Sequence, residues 1–141
     1  MSKIIGYTTG VFDMFHIGHL NILRRAKELC DYLIVGVSVD ELVMNDKHKK
    51  PVIPFEQRIQ IVESIKYVDK AVPQFDKNKM RAWEEYRFDI MFVGSDWKGT
   101  EIWNNFEDQF RKIGVRIEYL SHTDGISSTL LAEVLQIRNQ L

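Results

Sequence analysis

"KIIGYTTGVFDMFHIGHLNILRRAKELC" (Lys3–Cys30) holds three textures in one run. Lys3–Thr9 reads as a short buried strand. In "LNILRRAKELC" the apolar positions Leu20, Leu23, Ala26 and Cys30 recur near helical spacing. Between them lies "GVFDMFHIGH", Gly10–His19, which packs a glycine, an acid and two histidines into one turn. A buried strand that turns straight into an amphipathic helix is the opening of an alternating α/β chain.

The alternation continues to the end. "YLIVGVSV" (Tyr32–Val39) is a near-continuous apolar run, as expected of a strand covered on both faces. "FEQRIQIVESI" sets Phe55, Ile59, Val62 and Ile65 on one helical face. "VDKAVP" reads as a short strand, followed by a polar helix near Lys77–Tyr86 and the strand "DIMFVG". A helix near Trp103–Lys112, the alternating strand "VRIEYL" and the helix "STLLAEVLQIRNQ" complete the order, the last with Ser and Thr as candidate caps. The pattern predicts a single doubly wound α/β domain over residues 1–141, with a central parallel five-stranded sheet. In such sheets ligands sit at the carboxyl ends of the strands. Four segments fall there: Thr8–His19, Asp40–Lys50 (read as a polar loop), Gly94–Gly99 and Ser121–Thr129.

Composition narrows the classes. Apolar residues make up 45% and the formal net charge is −1, which fits a globular chain and offers no basic excess for nucleic acid. The one cysteine, Cys30, precludes an internal disulfide and reads as packing between Leu29 and Leu33. With no basic-then-apolar leader and no apolar run near membrane length, the expectation is a soluble, cytoplasmic protein.

The opening turn admits three readings. His16 and His19 could be a metal pair, although helical zinc pairs more often stand four apart with an added carboxylate. They could simply fill a turn. Or they serve phosphate: a helix N-terminus offers free N–H groups to an anion, and Gly10 lets backbone approach it. Imidazole N–H groups could then stabilise a phosphoryl centre as its charge shifts. The chain has no G-x-G-x-x-G, and "GSDWKGTE" carries Thr100–Glu101 where a P-loop needs Lys–Ser/Thr.

"GVFDMFHIGH" resembles the G-x-F-D-x-x-H-x-G-H segment of the nucleotidylyltransferase superfamily, and within it the chain looks most like the cytidylyltransferases. Five more segments follow in the same order: "CDYLIVGVSVDE", "KHKKPVIPFEQR", "IKYVD", "VGSDWKG" and "HTDGISST". The resemblance implies a Rossmann-like fold. It also implies transfer of CMP from CTP to a small phosphorylated alcohol, with glycerol 3-phosphate first among candidates, by in-line attack at the α-phosphorus.

The resemblance assigns roles as well. His16, His19, Lys47 and Arg58 would be catalytic, with Arg58 facing the phosphates. Thr9, Gly10, Phe12, Asp96, Trp97, Gly125, Ile126, Ser127, Ser128 and Thr129 would bind the nucleotide. Asp13, Lys49, Lys66 and His122 would stand on the acceptor side, with Asp13 chiefly organising the turn. Mg²⁺ would arrive with CTP and be held mainly by substrate. A homodimer is implied, with Lys66–Asp69 near its interface.

The match departs at four positions. Lys66 and His122 stand where the family pattern has arginine, Asp124 where it has glutamate, and Ser95 where it has aspartate. Lys and His lose the bidentate fork of arginine, which leaves the acceptor open. Trp103 and Phe106 are expected to be available to shape a pocket. Two rivals remain: an adenylyltransferase of the same fold, such as a pantetheine-phosphate enzyme, and a non-catalytic nucleotide-binding module. An aminoacyl-tRNA synthetase would need a tRNA-binding body that 141 residues do not hold.

Overall fold

In the computed structural model, residues 3–122 and 131–136 are described. Five strands, β1 (Ile5–Gly10), β2 (Tyr32–Ser38), β3 (Lys70–Gln74), β4 (Ile90–Gly94) and β5 (Arg116–Leu120), form one sheet in the order β3-β2-β1-β4-β5. Every neighbouring pair is parallel. The helices are α1 (Ile17–Glu28), α2 (Asp40–Lys47), α3 (Phe55–Glu63), α4 (Lys79–Tyr86) and α5 (Glu101–Lys112). Residues 131–136 are helical as well.

Helices cover both faces because the strands are apolar on both. Alternate β2 residues Leu33, Val35 and Val37 pack with Leu23 and Ala26 of α1 and Val62 of α3. Ile34 points the other way, into a layer with Trp103 and Phe110 of α5 and Met91 and Val93 of β4. Each fully buried aliphatic or aromatic side chain contributes about 1.5–3 kcal/mol relative to exposure. Trp103 is 6% exposed and Phe106 packs beside it, so both fill this second core layer; the pocket expected from them is not there.

The chain winds outward from β1 through β2 to β3, then returns to β4 on β1's other side. The order reverses between β1 and β4. At that point the connections diverge to opposite faces, and a crevice opens at the carboxyl ends.

Among the described residues, Asp40–Lys47 differs most from the sequence reading. It is helical, with Asp40 and Glu41 in the first turn, where carboxylates complement the helix dipole. Only Val43 of this helix is buried, so its apolar face is too thin to show as periodicity.

Candidate active site

Strand β1 delivers Thr9 and Gly10 to the crevice. Beyond them the backbone is left-handed at Phe12 (φ 54°) and again at Met14 (φ 47°). Such conformations cost bulky residues of order 1–3 kcal/mol each and persist only where neighbours hold them. Asp13, between the two, provides a hold. Its carboxylate accepts the N–H of Val52 (2.8 Å) and of Ile53 (2.9 Å). Asp13 therefore organises the turn, and both carboxylate oxygens face backbone donors. Gly10 has a local reason too: a Cβ there would lie 3.0 Å from the Phe12 ring. That ring is core, 7% exposed, and meets His19 edge-on at 5.4 Å. Phe12 reaches the cleft as a wall.

The two histidines cap their own helix. His16 Nδ1 accepts the Gly18 N–H at 3.0 Å, and His19 Nδ1 accepts the His16 N–H at 3.1 Å. This reciprocal arrangement is a capping box built with imidazoles in place of hydroxyl and carboxylate. The rings stack with centroids 3.9 Å apart. Because each Nδ1 is an acceptor, each neutral ring carries its proton on Nε2. Burial pushes His19 down to about 4, helped by the charge of His16 and opposed by Asp13. His16 is lowered by burial. The free protein thus presents neutral imidazoles that donate through Nε2.

Around this turn lies a cleft of about 340 Å³. Thr9, Gly10, Asp13 and His19 form one side. Lys47, the last residue of α2, and Lys49 and Lys50 beyond it form another. Gly94, Trp97 and His122 close a third. His122 Nε2 stands 3.1 Å from Asp96, an exposed pair that links the loop after β4 to the chain after β5. His122 packs over Gly94, where a Cβ would come within 3.1 Å of its ring. His16 flanks the cleft through its stack on His19.

Two expected site residues are not where the sequence reading put them. Arg58 does not face phosphates. It is fully buried, and its guanidinium donates to Ile53 O, Val11 O, Ser38 O and Asp40 at 2.6–2.8 Å. With four N–H groups committed to protein, it is a structural tie under the site. Lys66 lies in the turn between α3 and β3, at the amino-terminal edge of the sheet, exposed beside the Tyr67 ring. That is the opposite edge from the cleft. Gly125, Ile126, Ser127, Ser128 and Thr129 lie outside the described residues.

One residue the sequence did not flag stands behind this site, outside the cleft's lining. Lys79, on α4, is 7% exposed and donates to Thr9 Oγ1 at 3.0 Å. Among the described residues no carboxylate comes within ion-pair distance of it. Burial, with help from Lys77, lowers it to about 8 against the pull of Asp76. A buried ammonium held by a hydroxyl alone keeps much of its charge uncompensated, and so adds positive potential behind Thr9. Flanked by Lys77 and Asn78 in a polar stretch, it looks in sequence like any solvated lysine.

No group of three or more potential metal ligands occurs among the described residues. The cleft is cationic, with neutral N–H donors at a helix start, a combination that suits a polyphosphate. No helix among the described residues is long and apolar enough to cross a membrane.

An all-parallel sheet with this reversal, joined to such a cleft, is the frame of a nucleotide-binding α/β protein. The chain belongs to the cytidylyltransferase-like family, whose model matches residues 7–134. It is 37% identical to a glycerol-3-phosphate cytidylyltransferase of Staphylococcus aureus, over 96% of each chain. It is also 41% identical to an FAD synthase of Archaeoglobus fulgidus, over 78% of this chain and 77% of that one. Among solved structures it is similar to a lipopolysaccharide core biosynthesis protein of Thermoplasma volcanium. That match has a TM-score of 0.71 and 28% identity, covering 86% of this chain and 98% of the other.

Proposed function

We propose that this enzyme transfers CMP from CTP to a small phosphorylated alcohol, sn-glycerol 3-phosphate by preference, releasing pyrophosphate. The observation that carries the reading is the cationic cleft at the histidine turn, with a further cation buried behind its Thr9 wall. The histidine turn and Lys47, Lys49 and Lys50 suit a triphosphate. Buried Lys79, behind Thr9, adds positive potential that favours a second, smaller anion. A reaction between two phosphate esters needs such a cationic cleft.

In this mechanism an acceptor phosphate oxygen attacks the α-phosphorus in line with the departing pyrophosphate. The nucleophile is already anionic, so no general base is needed, and Asp13 is not assigned one. His16 and His19 donate through Nε2 to the phosphoryl oxygens, where charge grows in the transition state. The lysines of the cleft hold the outer phosphates, and Lys79 adds positive potential behind Thr9 that favours the acceptor's phosphate. Mg²⁺ would ride on the triphosphate and neutralise its oxygens. Trp97 and Asp96 are read as the nucleoside end of the site, with His122, paired to Asp96, on the acceptor side. A cytoplasmic homodimer is part of this reading.

The FAD synthase relative favours a second reading, adenylyl transfer from ATP. Pyrophosphate release with Mg²⁺, CTP or ATP, and a panel of phosphorylated alcohols separates the two. We expect CTP with glycerol 3-phosphate to outpace every ATP pair. A tenfold preference for ATP would overturn the CMP reading. CTP binding without pyrophosphate from any acceptor would favour a binding module.

A further inference from the structure

Two arms reach from the histidine turn to the lysine segment, and both end on one residue. The first is Asp13, whose carboxylate takes the N–H of Val52 and of Ile53. The second is Arg58. Its Nε donates to Ile53 O at 2.8 Å, and its Nη1 donates to Val11 O at 2.7 Å. Ile53 is therefore gripped at its N–H from one side of the turn and at its C=O from the other. A closed ring runs from Val11 through Asp13 to Ile53, then through Arg58 back to Val11. Arg58 also holds Ser38 O and Asp40, where α2 begins. The segment carrying Lys47, Lys49 and Lys50 is thus fixed to the same guanidinium at both ends.

Phe12, one of the two left-handed residues, sits inside this ring, and Met14, the other, follows Asp13 directly where the chain leaves it. A strained turn clamped by a short polar ring shifts as a unit, because a change at Phe12–Met14 must displace Asp13 and hence Val52–Ile53.

We propose that Asp13 and Arg58 are positioning residues that couple the two halves of the site, so that triphosphate seated at the histidine turn orders residues 47–53 through the Val52–Ile53 tie. The inference rests on the phosphate site proposed above, but not on which base or acceptor is used.

Hydrogen exchange of the full chain, read at the Val52 and Ile53 amides, tests it with inorganic tripolyphosphate as the probe. Saturating tripolyphosphate should slow both amides about fivefold or more in wild type. The slowing should persist, at saturation, in the variant with Lys47, Lys49 and Lys50 all changed to Ala, since the tie bypasses those side chains. It should be lost in Asp13→Asn, which still binds the probe within a few-fold by calorimetry and loses kcat more than nucleotide affinity. Binding with unslowed amides in wild type would overturn the coupling alone. So would slowing that disappears in the lysine variant while calorimetry shows it saturated with tripolyphosphate, a comparison that needs no Asp13 variant to fold. Failure of wild type to bind tripolyphosphate would overturn the phosphate site and the coupling with it.

Discussion

A pair of imidazoles at a helix start meets two demands at once. As caps they must stay neutral, because a proton on Nδ1 would replace an acceptor with a donor facing a backbone N–H. As phosphate donors they must offer Nε2–H, which the same capping bonds dictate. His19, lowered to about 4, meets both at neutral pH. The sign for stability follows: its folded value lies below the ordinary 6.5, so the unfolded chain binds more protons between the two. The contribution is full above pH 6.5 and is lost as pH falls towards about 4. We expect the His19 Cε1–H resonance of the free protein to titrate near 4, with denaturant stability declining over that window. Titration near 6.5 would contradict the capping geometry. His19→Ala should lower kcat by about 10²–10³-fold, as for loss of one transition-state donor. Steady-state rates on folded variant check this, and an unchanged kcat would remove His19 from the chemistry.

Lys79 shows at the element scale what α4 holds in place. A buried ammonium lowered to about 8 costs stability at neutral pH, and the cost eases as pH rises from about 8 towards 10.5. Lys79→Met should therefore raise the thermal midpoint of the free protein while raising the acceptor KM tenfold or more. A lowered midpoint with unchanged KM would make Lys79 purely structural. The elements that build the site were unequally legible. The histidine turn was plain in sequence, because its residue types are too costly for an ordinary turn. The lysine segment was visible as charge, but its helix was not, since α2 buries only Val43. Arg58 is legible as the start of α3, but the direction of its side chain is not. Its role depends on carbonyls of Val11, Ser38 and Ile53, which come from three separated segments. Backbone partners leave no residue-type signature, so sequence alone could not separate a buried tie from a phosphate ligand.

The sheet as a whole explains why these parts meet. The reversal of strand order between β1 and β4 puts Gly10 and Gly94 at one crevice, and β2 and β3 feed α2 and α4 to its flank. Alternating apolar strands and amphipathic helices made the doubly wound class readable. Burial on both faces leaves near-continuous apolar runs that few other folds produce. The position of Lys66 was not readable, because sequence order does not say which edge of the sheet a turn occupies. The account's central claim is that the α-phosphoryl group moves to an acceptor phosphate at this crevice. Incubating the enzyme with Mg²⁺, CTP labelled at the α-phosphorus and glycerol 3-phosphate tests it most directly. The account predicts that the label leaves CTP and appears in a cytidine diphosphate ester of glycerol, matched one for one by unlabelled pyrophosphate. Label appearing in CDP or free CMP, or remaining in CTP, would contradict it.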